Sequence, residues 1–191
     1  MPLFSKGKKK LLNFDNPEIQ ENIEKYLGKQ SDNVLHSVVF FDMGPDAGGG
    51  ADVYVYKQKI KGVTYITGDL IGKKQKKSDA GNYELMICHK NNNEWGSKLI
   101  SQLSYYTLEA SLMSSETMDI GPFTKDDTTA IIFDKYCDFQ IDGNQYGLML
   151  LIGIKSDELE WTKEHGGKKL LEKLKAEGVY PYTEFNRKSV V

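Results

Sequence analysis

The run Tyr146–Ile154, YGLMLLIGI, carries no charged side chain. It falls well short of the roughly 20 apolar residues that cross a bilayer. It also lacks the polar alternation of a half-solvated strand. Such a segment predicts a central strand covered on both faces. The rest of the chain must supply the covering residues. With 191 residues, 39% of them hydrophobic and 27% charged, it has the material for one large domain. A domain of this size buries roughly 70% of its unfolded surface and needs no disulfide or metal to hold it.

The flanking elements follow from local rules. Asn16 is an N-cap, Pro17 suits the first helical position and Glu18 complements the positive helix start. Ile19, Ile23, Tyr26 and Leu27 then share one helical face, and Gly28 ends the helix. Strands are predicted over Val34–Phe41, Asp52–Tyr56, Val63–Thr67 and Tyr83–Cys88, the second and third forming a hairpin around a polar loop. Val53 and Val55 point to one side of their strand, Tyr54 and Tyr56 to the other. A second helix spans Glu94–Ala110, capped by Asn92 or Asn93. Ala130–Phe133 reads as a short strand and Asp142-Gly143-Asn144 as a turn. The last helix begins near Ser156, with Asp157 and Glu160 at capping-box spacing, and Gly166-Gly167 predicts a kink or break in it. Helices and strands mix without strict alternation. The expected fold is α+β: a mixed, largely antiparallel central sheet with about three helices, in a single domain over residues 15–191. Residues 1–14 read as a basic, partly mobile lead-in.

Several chemistries find no support. The net charge is −2, so no basic excess marks a nucleic-acid binder. No signal peptide or membrane span is visible, which points to the cytoplasm. Gly44-Pro45-Asp46-Ala47-Gly48-Gly49-Gly50 has neither phosphate-loop spacing and leads into a strand, so it reads as a connecting loop. His36, His89 and His165 are dispersed, and Cys88 and Cys137 read as buried thiols. No cofactor and no metal are expected. Lys73-Lys74-Gln75-Lys76-Lys77 is a solvated basic loop without stacking aromatics. The carboxylates between Asp126 and Asp142 suit an acidic surface that steers a basic partner. Tyrosine, with its apolar body and polar tip, is enriched at protein interfaces.

An ordered set of short segments resembles the suppressor-of-fused family. Asp52-Val53-Tyr54-Val55-Tyr56 is similar to the family's Asp-Ile-Tyr-Val strand. Tyr65-Ile66-Thr67-Gly68 is similar to a strand ending in Thr and Gly, and Tyr83-Glu84-Leu85-Met86 to a Glu-Leu strand followed by Trp, here Trp95. Leu151–Ile154, Glu158–Trp161, Gly166-Gly167 and Leu170-Leu171 resemble its late strand and closing helix. The tail Arg187-Lys188-Ser189-Val190 is similar to the end of bacterial members. The chain departs from the family at Gly68-Asp69-Leu70, where Gly-Met is common, and at Gly121-Pro122-Phe123.

The resemblance implies a non-catalytic intracellular domain that binds another protein. One form of this is a bacterial immunity protein that neutralises a toxin. The candidate partner-binding residues are Tyr54, Tyr56, Asp69, Asp126 and Asp127. Two alternatives stay open: an enzyme with a cryptic site around Cys88, His89 or the 126–142 segment, and a homo-oligomeric structural module.

Overall fold

The computed structural model describes residues 4–5, 16–121 and 127–191. Its elements are β1 (Phe4–Ser5), α1 (Pro17–Leu27), β2 (Gln30–Ser37), β3 (Val53–Tyr56), β4 (Val63–Thr67), β5 (Asn82–His89), α2 (Trp95–Leu103), α3 (Tyr106–Glu109), β6 (Thr117–Asp119), β7 (Thr128–Ile141), β8 (Asn144–Lys155), α4 (Ser156–His165) and α5 (Gly167–Ala176). The strands form one eight-stranded sheet in the order β1-β2-β3-β4-β5-β8-β7-β6. Every pairing is antiparallel except β5 with β8. The domain is α+β with a mixed, largely antiparallel sheet. All but two residues of the proposed lead-in lie outside the described residues; Phe4 and Ser5 pair with Ser37 and His36 of β2.

The apolar run at 146–154 lies in β8, between β5 and β7. Both its faces are covered, because strand side chains alternate and each set meets a different layer. Leu148, Leu150, Ile152 and Ile154 join Tyr54, Tyr56, Met86 and the α1 and α5 residues Ile23, Leu27, Leu170 and Leu174. Met149 and Leu151 join Val53, Val55, Leu85, Ile87 and the α2 residues Leu99 and Ile100. Full burial of one such aliphatic side chain contributes about 1.5–3 kcal/mol. A sheet with both faces occupied is therefore the main source of cohesion.

Local signals at helix and turn ends hold well. Asn16 Oδ1 accepts the Glu18 N–H at 2.9 Å, and Gly28 closes α1 at φ 81° with its N–H on the Glu24 carbonyl. Asp142 and Gly143 both take positive φ, 51° and 78°, as the tight turn between β7 and β8 requires. Asn93 Oδ1 accepts the Trp95 N–H at 2.9 Å.

Four expectations need correction. The second helix divides into α2 and α3, while the last breaks at Gly166-Gly167 as expected into α4 and α5, so the described residues hold five α-helices where about three were expected. The strand at Ala130–Phe133 runs from Thr128 to Ile141, because β8 offers a full-length partner. The side chain that closes the start of α4 is Glu158, not Glu160: it accepts the Lys155 N–H at 3.0 Å. Finally, β2 stops at Ser37 rather than reaching Phe41. There Asp52 takes the Ser37 N–H, and Ser37 Oγ donates to the Val39 carbonyl, turning the chain out of the sheet.

Candidate protein-binding surface

Three of the family-like segments, at 52–56, 65–68 and 83–86, converge on one polar lattice, and it is largely internal. Glu84 is fully buried on β5. Its carboxyl accepts the Leu70 and Ile71 N–H groups at 3.0 and 2.8 Å and the Thr67 hydroxyl at 2.6 Å. Burial pushes its pKa up to about 8. Glu84 thus closes the turn after β4. Asp69, in that turn, accepts the Asp52 N–H at 2.7 Å. Asp52 in turn accepts the Ser37 N–H and meets His36 Nδ1 at 2.7 Å. The Asp-Val-Tyr-Val, Thr-Gly and Glu-Leu segments are therefore bound together because they lock neighbouring strands.

The five candidate partner residues fare differently. Tyr54 and Tyr56 are 3% and 1% exposed, in the core layer they share with α1 and α5 residues, so neither ring offers a contact surface. Gly68 is small because the Tyr54 ring lies over it; an added Cβ would sit 1.8 Å from Tyr54 Cε2. Asp69 is half-buried and tied into the lattice. Asp127 is exposed and ion-paired with Lys155. Asp126 lies outside the described residues, as do Pro122 and Phe123 of the second family departure. The structure brings Asp69 to the tyrosine strand but not Asp127, which stands at the β7–β8 end of the sheet.

Cys88 and His89 of the cryptic-site alternative are equally internal, whereas Asp127, Asp138 and Asp142 of its 126–142 segment are exposed. Burial raises the thiols of Cys88 and Cys137, each to about 12, away from nucleophilic use. His89 is buried among Tyr65, Trp95 and Phe185. Its Nδ1 donates to the Thr183 carbonyl at 2.9 Å, and burial drives its pKa down to about 4, so the ring is neutral. Among the described residues no group of three or more His, Cys, Asp or Glu side chains could hold a metal ion. None of the described helices is long and apolar enough to cross a membrane.

The exposed apolar surface lies elsewhere. After β2 the chain forms two 3-10 turns, Phe41–Met43 and Pro45–Ala47. This loop exposes Val38, Phe40 and Met43 by 67%, 79% and 65%. Its backbone is nevertheless pinned. Gly50 N–H bonds to the Val39 carbonyl, Gly49 N–H to Gly44, and Ala51 N–H to the Ser101 carbonyl of α2. Ser101 Oγ returns a bond to the Ala51 carbonyl at 2.7 Å. Buried Phe41 anchors the loop in the α2 layer. Beside it runs a groove of about 490 Å³ lined by Pro45, Leu99, Leu103, Tyr106, Met118 and Ile120, with Gln102 and Asp119 as its polar members. The sequence reading missed this surface because Val38 and Phe40 look like a strand continuing from Val34. The Gly44-Pro45 break was the available signal.

The family model described as Suppressor of fused protein (SUFU) matches residues 51–188. A search of curated proteins finds no match. Among solved structures, the Sufu–Fu complex is similar at TM-score 0.70 and 12% identity, over 91% of this chain and 89% of that one. A putative SUFU homolog from Neisseria gonorrhoeae is similar at TM-score 0.64 and 15% identity, over 92% and 96%. Drosophila Suppressor of Fused is similar at TM-score 0.66 and 12% identity, over 91% of this chain and 50% of that longer one. At these identities the structures share the fold, and the family match covers most of the chain. The chain belongs to the suppressor of fused protein family.

Proposed function

We propose that this chain is a non-catalytic, cytoplasmic protein-binding domain that meets its partner through the 38–50 loop and the adjoining groove. The observation that carries this reading is the exposure of Val38, Phe40 and Met43 on a backbone held by α2. Apolar side chains on a rigid support lose little entropy on binding, and contiguous apolar surface beside a groove marks an interaction site. The buried thiols and neutral His89 favour binding over catalysis. A similar fold occurs in the Sufu–Fu complex, where a partner protein is bound. The narrower form of the reading, an immunity protein that occludes a toxin, rests on the likeness to small bacterial members.

The test is affinity capture from the native host with wild type and a Phe40→Ser/Met43→Ser variant. The reading expects a stoichiometric partner with wild type, at least tenfold depleted with the variant, while the melting temperature is unchanged. Equal recovery by both proteins, or no partner with either, would overturn it. For the toxin form, co-expression with the product of a neighbouring gene should restore growth that the product alone abolishes.

A further inference from the structure

We infer that the segment taken up by the groove is cationic and amphipathic, with an apolar side chain seated between α2 and β6 and Lys or Arg residues flanking it. This rests on the proposed function and specifies the partner's chemistry. The elements around the groove are 38–50, 95–110 and 116–121. They carry Asp42, Asp46, Glu109, Glu116 and Asp119 against Lys98, a net −4 (one base minus five acids), whereas the whole chain is −2. All five carboxylates belong to exposed residues. The groove floor is apolar, with Leu99, Leu103 and Met118, and Asp119 is the charged residue on its lining. An apolar floor with Asp119 on its lining, on elements of net negative charge, disfavours an anionic segment by like-charge repulsion and speeds the approach of a cationic one. The basic loop Lys73–Lys77 meets α3 through a bond from Lys76 N–H to the Thr107 carbonyl, one residue from Tyr106, and is not counted in this charge.

Three synthetic helical peptides of equal length test this by fluorescence anisotropy at low and high salt. One alternates Leu and Lys on opposite faces, one replaces Lys by Glu, and one keeps Lys but replaces Leu by Ser. The Leu/Lys peptide should bind at least about tenfold more tightly than either control and weaken with salt. Asp42→Lys/Asp46→Lys should weaken it by a similar factor, and Asp42→Asn/Asp46→Asn by less. Equal binding of the Glu peptide, or indifference to both double variants, overturns the charge assignment. Equal binding of the Ser peptide overturns the groove as the apolar seat. If the Leu/Lys peptide fails while capture of the native partner still requires Phe40 and Met43, the cationic assignment falls and the proposed function stands. If capture is also indifferent to those residues, both fall.

Discussion

Arg187 and Glu158 form a two-pronged ion pair between the C-terminal tail and the first turn of α4, with Nη1 on Oε1 and Nη2 on Oε2, each at 2.5 Å. Both side chains are buried. Glu158 also accepts the Val190 and Lys155 N–H groups, so a single carboxylate joins tail, strand β8 and helix. Removing one member strands a buried charge. Arg187→Ala should therefore cost about 3–5 kcal/mol in urea unfolding, whereas Arg187→Met combined with Glu158→Leu should cost clearly less. If the single and double variants lose equal stability, the pair is not what fastens the tail.

Gly96 and His89 set two effects against each other. Alanine is the better helix former by about 1 kcal/mol. A Cβ at position 96, however, would lie 2.3 Å from His89 Nε2 and 2.9 Å from Ile87 Cγ2. Overpacking of this kind costs about 1–3 kcal/mol, so Gly96→Ala should destabilise. The loss should shrink in a His89→Ala background, as a double-mutant cycle would show.

His89 and Glu84 should give opposite pH dependences. The folded pKa of His89 is depressed from 6.5 to about 4. The unfolded chain binds the extra proton between those values, so stability falls as pH drops through that window, by about 3 kcal/mol. Glu84 is raised from 4.5 to about 8, so its contribution is complete below pH 4.5 and is lost as pH rises to about 8, by about 5 kcal/mol. Chemical denaturation across this range should show the acid-side loss removed in His89→Phe and the alkaline-side loss removed in Glu84→Gln. Parallel curves for wild type and both variants would refute the assignments.

Tyrosines and the loop phenylalanine should separate by burial. Phe40→Ser should change stability by no more than about 0.5 kcal/mol. Tyr54→Ala should cost about 3–5 kcal/mol. The Tyr56 hydroxyl is buried with no hydrogen-bond partner among the described residues. Tyr56→Phe should therefore be neutral or stabilising by up to about 1 kcal/mol in the same unfolding assay.

Much of the fold was legible because its causes are local. Asn16, Gly28 and the Asp142-Gly143 turn act within a few residues, and the β8 run announces its own double burial. The break at Gly166-Gly167 is equally local. What failed depended on distant partners. Glu158 closes α4 while also meeting Arg187, and β7 extends to Ile141 because β8 is there to pair with it.

By itself the sequence determined the α+β class, the helix and turn punctuation, and a family whose three early segments prove to be strand locks around Glu84 and Asp52. Only the tertiary structure decided which tyrosines are buried and which apolar residues are exposed. Alternation assigns Tyr54 and Tyr56 to one face, but solvent access depends on whether a helical layer covers that face. Exposure of Phe40 depends on Asp52 ending β2 and Ser101 holding the loop, contacts between residues far apart in the chain.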